Sequence, residues 1–308
     1  MISFRYHVVS LLAVLLALAV GIALGSGPLQ RTDEPEAEGD GVDTATLDEL
    51  DRQLAFYDDY ARASSGALLG SGLDGRAVTL LLLPGASDTT ATAVEEAVTT
   101  AGGSVTARAV VEEQLLDVGE RQLVEQLATQ LADQAVDTVE VPGDASGYER
   151  VGLLLAHALA TTTPGGQALT GAGESVLAGL TTAELVAVQG EIDRRGSLVV
   201  AVGGPPYGSA DERSGAGTIL STLLTAIDTR SNGVVLTAPM ASAEEDGLVG
   251  ALRADPAAAA EVSTVDVADT VGGAVVTAMA LAGEAAGRTG HYGSEAAADG
   301  AVPGAGGE

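Results

Sequence analysis

From Val8 to Leu24 the chain is apolar except at Ser10 and Gly21. As a helix this run spans ~25 Å, close to the ~30 Å hydrocarbon core of a bilayer. Phe4 and Tyr6 extend it like an interfacial aromatic belt, and Arg5 is placed to snorkel to the headgroups. The pattern predicts a transmembrane anchor over residues 1–29. A cleaved signal peptide is the competing reading, because Ala23-Leu24-Gly25 offers small residues to a signal peptidase. The run outlasts the ~7–15 apolar residues of an ordinary signal peptide, which favours the uncleaved anchor. Arg5 and the amino terminus stand on one side of it and Arg31 alone on the other. That bias puts the N-terminus inside and the rest of the chain outside the cell membrane.

Residues 30–43 carry Pro35 and the carboxylates of Asp33, Glu34, Glu36, Glu38, Asp40 and Asp43, and read as an acidic solvated linker. Within residues 44–70, Leu47, Leu50, Leu54, Tyr57 and Ala61 recur at alternating spacings of three and four, with charges between them. This is an amphipathic helix with a coiled-coil-like seam, either docked on the following domain or paired in parallel with a second copy.

Beyond Gly70-Ser71-Gly72, buried-strand patterns alternate with helical ones. Ala77–Leu83, Ser104–Val111, Leu198–Val202, Gly233–Thr237 and Val262–Val265 read as strands. Helical periodicity covers Thr89–Ala101, Glu120–Ala135, Tyr148–Thr161, Thr182–Gln189, Thr218–Asp228 and Asp269–Ala286. Ser242-x-x-Glu245 has the spacing of a capping box that opens a further helix ending near Arg253. Repeated β-then-α order predicts a doubly wound α/β domain with a mostly parallel sheet over residues 73–290. Residues 291–308 are rich in Gly and Ala and read as a disordered tail.

One pattern in the anchor goes further. Ala13, Ala17, Gly21 and Gly25 recur every four residues as a single stripe, and Gly21-x-x-x-Gly25 is the spacing at which two membrane helices approach closely. The stripe predicts a homo-oligomer within the membrane, against the plainer reading of an Ala-rich helix in an Ala-rich chain.

Charge narrows the partners. The chain carries 43 acidic and 14 basic residues, for a net charge of −29, and contains no Lys. Such a surface repels nucleic acid, whose binding requires phosphates to be neutralised. With 0 Cys there is no disulfide, thiolate metal site or cysteine nucleophile.

Candidate chemistry is sparse, and the expectation is a non-enzymatic protein without a bound cofactor. The turn after the first strand reads PGASD, which is no dinucleotide fingerprint, and neither GxSxG nor GxxxxGK[ST] occurs. The loop GGPPYGS sits where such sheets bind ligands, with Tyr207 and Ser209 able to touch one or simply to close the loop. Asp211-Glu212 and Glu244-Glu245-Asp246 are candidate hard-cation ligands in a chain where acidic pairs are ordinary. The soft donors that copper prefers are few: His7, His157 and His291 stand alone, and so do Met240 and Met279.

The opening MISFRYHVVSLLAVLLALAVGIALGSGPL resembles the start of the actinobacterial copper transport protein B family, the MctB-like proteins. VTLLLLPGA with the later AGGSV, and STVDVADTVGGAVVTAMAL leading to GHYG at residues 290–293, extend the resemblance over most of residues 1–293. It implies a cell-envelope protein linked to copper export or tolerance, described in the family as a channel or efflux component of the outer envelope. Copper enters as an expectation of this resemblance alone. A SteB-like sister branch implies instead a scaffold for envelope assembly and division beside a membrane-protein partner.

Overall fold

Four wholly buried strands set the centre of the structure, a computed structural model that describes residues 44–135 and 138–304. The chain divides into two units, Met1–Asp51 and Arg52–Glu308. Of the first, the described residues open helix α1 (Thr44–Leu69), and Leu47 and Leu50 stand exposed there. The expected anchor at residues 1–29 with its Ala13/Ala17/Gly21/Gly25 stripe, and the expected linker at residues 30–43, lie outside the described residues. Among the described residues no helix is long and apolar enough to cross a membrane.

The second unit holds the rest of α1 and a seven-stranded sheet in the order β3-β2-β1-β4-β5-β6-β7. The strands are β1 (Ala77–Leu82), β2 (Ser104–Val111), β3 (Val186–Val188), β4 (Leu198–Val202), β5 (Val234–Thr237), β6 (Val262–Val265) and β7 (His291–Tyr292). All neighbours pair in parallel except β2 with β3, which run antiparallel. Every residue of β1, β4, β5 and β6 is buried, which is why β1, β4 and β5 read as nearly continuous apolar runs rather than as alternation, while in β6 the buried Ser263 and Thr264 bond to Glu284 and Arg253.

Helices cover both faces. On one face Leu81, Val199 and Leu236 pack with Leu115 of α3 (Glu113–Leu116), Val124 of α4 (Arg121–Gln134), Leu154 of α5 (Gly147–Leu159), Leu180 of α6 (Gly171–Thr182), Leu220 of α7 (Ala210–Asp228), Leu252 of α8 (Leu248–Ala254) and Ala258 of α9 (Pro256–Glu261). On the other, Leu80, Val200 and Val235 pack with Leu69 at the end of α1, Val94 of α2 (Asp88–Thr100) and Leu281 of α10 (Val271–Glu284).

Three expectations are corrected. Residues 182–189 form no helix: α6 ends at Thr182 and the chain continues as β3, whose register pairs Val188 with Ala109 of β2. Ser242 opens no helix, because its hydroxyl donates to the Gly204 carbonyl at 2.9 Å within a short 3-10 turn, and α8 begins at Leu248. Residues 291–308 are not wholly outside the domain: His291 and Tyr292 extend the sheet beside Thr264 and Val265. Ser294 N–H then donates to the buried Asp266 carboxylate at 2.8 Å. The few apolar residues of this segment are compensated by those polar contacts.

Candidate functional site

In a sheet of this order the strand sequence reverses between β1 and β4, and the crevice at their C-terminal ends is the usual ligand position. Here it is filled by backbone. Gly85, at φ +77°, turns the chain after β1, and Gly204 follows β4. A Cβ added to Gly204 would lie 2.1 Å from the Gly85 carbonyl oxygen, so the two loops touch main chain to main chain. Ser242 holds the Gly204 carbonyl from the other side.

The open space lies beside that contact, on the α7 face, as a cleft of about 590 Å³. Leu116, Val118, Pro205, Pro206, Ala216 and Leu248 supply its apolar lining, and Tyr207 stands over it half-exposed. Glu113, Asp117, Asp211, Glu212 and Asp246 supply carboxylates against the single guanidinium of Arg213. Sequence positions that seemed unrelated therefore converge: the GGPPYGS loop, Asp211-Glu212 and the last member of Glu244-Glu245-Asp246 line one cavity.

Local hydrogen bonding commits several of these groups. Ser209 caps α7, and Glu212 reaches back to its N–H at 2.7 Å, a complete capping box. The bonds from the Ser209 backbone and side chain lower the Glu212 pKa. Ser209 thus closes the loop and starts the helix. Arg213 pairs with Asp246 and donates to the Gly208 carbonyl at 2.6 Å. Asp117 accepts from Gly119 N–H at 2.7 Å. The Glu113 and Asp211 carboxylates accept no hydrogen bond and form no ion pair among the described residues. Burial, then the charges of Glu113 and Asp117, raise the Tyr207 phenol pKa.

The soft donors do not gather. His157 contacts Thr170 at 3.1 Å and His291 contacts Thr264 at 2.9 Å, and burial foremost lowers the pKa of both. Met240 is exposed and Met279 packs against the core. Among the described residues no group of three His, Cys, Asp or Glu is placed to hold a metal ion. His7 lies outside them.

A second group of carboxylates lies at the opposite, N-terminal end of the strands. Glu284 is buried and accepts from Ser263 N–H at 3.1 Å and its hydroxyl at 2.5 Å. Burial raises its pKa to about 7, and that of Asp228 to about 6.

The exposed face of α1 is the other feature singled out by pattern. In the second unit Leu54 and Tyr57 are exposed and Ala61 is partly so, with Phe56 and Tyr60 also in solvent. Phe56 and Tyr57 meet edge to face at 5.6 Å.

Residues 1–303 match the family described as copper transport outer membrane protein, MctB. A protein named copper transporter MctB from Mycobacterium tuberculosis (strain ATCC 25618 / H37Rv) is 29% identical over 313 residues, covering 96% of both chains. One of the same name from Mycobacterium leprae (strain TN) is 27% identical over 316 residues, covering 95% of this chain and 96% of that one.

Proposed function

We propose, from the premise that the chain belongs to the MctB family of copper transport outer membrane proteins, that it supports copper export or copper tolerance as a membrane-anchored protein of the cell envelope. The match over residues 1–303, with relatives named copper transporter, is the observation that carries this reading. The apolar run Val8–Leu24 is its single anchor, with the N-terminus inside and the α/β domain outside, in the cell membrane or an outer envelope layer. Copper is cargo in this reading. Because His157, His291, Met240 and Met279 are held apart in separate environments, the metal passes through an oligomer or a companion protein.

The test is a deletion strain complemented with the gene, assayed for cell-associated copper by mass spectrometry and for growth on copper. The expected outcome is excess copper and poor growth in the deletion, both restored by the gene. Equal copper and equal growth in the two strains would end the reading.

A second reading is a dimeric scaffold for envelope assembly, without a catalytic role, that engages a membrane-protein partner. The observation favouring it is α1, 26 residues long, in which only Leu69 is buried. A helix gains most of its stability from packing an apolar face, so Leu54 and Tyr57 call for a covering surface. Their seam spacing suits a second copy, with the Ala13/Ala17/Gly21/Gly25 stripe pairing the same two chains in the membrane.

A further inference from the structure

The cleft under Tyr207 combines an apolar floor with carboxylates that the fold leaves unused. Arg213, Asp246, Glu212 and Asp117 satisfy one another or the backbone, whereas Glu113 and Asp211 make no such bond among the described residues. Among the described residues outside α1, the exposed large apolar side chains are Val118, Leu123, Tyr207 and Met240, and two of these, Val118 and Tyr207, line this one cleft.

We propose that this cleft docks a basic, partly apolar extended segment of a partner protein, its Lys or Arg side chains meeting Glu113, Asp211 and the ring of Tyr207. Three observations select that occupant. A small-molecule site encloses its ligand, but here Val118 and Tyr207 are 52% and 45% exposed, so the floor runs out onto the surface as a peptide groove does. A phosphorylated ligand meets carboxylates, and the crevice it would use between β1 and β4 is filled by Gly85 and Gly204. A second copy of this chain brings a net charge of −29 and no Lys against an already acidic site. A cationic side chain gains both from the carboxylates and from the face of the Tyr207 ring. This surface is independent of the copper reading and serves an export or an assembly role alike.

The experiment is fluorescence anisotropy on the full-length protein in detergent micelles. The probe is a fluorescein-labelled peptide alternating Leu and Arg, compared with its Leu and Glu counterpart and with unlabelled spermine as competitor. Binding of the Leu/Arg peptide alone is expected, weakening steeply from about 50 to about 500 mM NaCl. Glu113→Gln with Asp211→Asn, and separately Tyr207→Ala, are expected to weaken it about tenfold. Glu95→Gln with Glu96→Gln, on α2 across the sheet, leaves it unchanged. The proposal is overturned by absence of binding, by equal weakening in the α2 variant, which would mean diffuse attraction to an acidic protein, or by spermine binding as tightly as the peptide, which would mean the apolar floor is unused.

Discussion

The Arg253 guanidinium donates to the Asp266 carboxylate at 2.8 Å, and the two side chains are only 5% and 0% exposed. Arg253 also donates to the Thr264 hydroxyl and the Tyr292 carbonyl, while Asp266 accepts from Ser294 N–H. One buried pair thus ties α8, β6 and the C-terminal segment together. Gly293, at φ +139°, is required there, because a Cβ would fall 1.9 Å from an Asp266 carboxylate oxygen.

Removing one partner of a buried pair leaves the other charge unpaired, at a cost of ~3–5 kcal/mol. Asp266→Asn is therefore expected to lower stability in urea unfolding by ~3 kcal/mol. Hydrogen exchange should quicken first at the amides of Ser294 and Glu295, whose N–H groups donate to the Asp266 carboxylate. Unchanged exchange at those amides would mean the C-terminal segment is held by something else.

Glu284 gives the domain a pH dependence of definite sign. Its pKa rises from 4.5 to about 7 in the folded protein, chiefly through burial and secondarily through the charge of Asp228, against the opposing bonds from Ser263. As pH climbs through that window the unfolded chain releases the proton first, so stability falls between about pH 4.5 and 7 and stays lower above. The full effect is on the order of 3 kcal/mol. Glu284→Gln keeps an acceptor for Ser263 and removes the titration. Its unfolding midpoint relative to the natural protein should therefore improve from about pH 5 to about pH 8. A constant difference across that range would show that Glu284 titrates normally.

The five strands β1, β2, β4, β5 and β6 are legible in sequence, β1, β4 and β5 because a strand covered on both faces is a nearly continuous apolar run, as in LVVAV. The edges are not. β3 is only 3 residues, VAV, and its strand character comes from pairing with β2, so Leu185, Val186 and Val188 fit a helical period equally well. β7 is His-Tyr, held by the Asp266 N–H, which donates to the Tyr292 carbonyl, and by the Thr264 hydroxyl beside His291, rather than by its own hydrophobicity. In sequence the cleft is legible only as separate parts, Tyr207, Asp211 and Asp246. Their convergence depends on how α7 and the loop before α8 meet. The spacing Ser242-x-x-Glu245 starts no helix because a capping box requires the hydroxyl to be free to turn back, and here it donates to the Gly204 carbonyl.

The backbone contact between Gly85 and Gly204 yields a sharper expectation. Gly204→Ala places a methyl 2.1 Å from the Gly85 oxygen, and a β1-loop backbone atom cannot move aside as a flexible side chain can. Overpacking of this kind costs ~1–3 kcal/mol, so the thermal midpoint should fall by roughly 5 °C. Peptide binding in the adjacent cleft should weaken as well, because Pro205–Gly208 follow directly. A midpoint equal to that of the natural protein would show that the two loops part readily.

The pairing of α1 can be tested in a chain that has 0 Cys. On the seam Leu47-Leu50-Leu54-Tyr57-Ala61, Tyr57 occupies a d position, whereas Asp59 falls on the outer, f side. In a parallel pair the two copies of a d residue face each other at close range, so Tyr57→Cys introduces a disulfide between chains under mild oxidation. Asp59→Cys, of comparable exposure, cannot reach its counterpart. The expected outcome in native membranes is a dimer band for Tyr57→Cys, absent for Asp59→Cys and lost when Leu54→Asp is added. Equal crosslinking at both positions would indicate random collision. No crosslinking at either, with sedimentation of a monomer, would leave the α1 face to a different protein and remove the dimer from the scaffold reading.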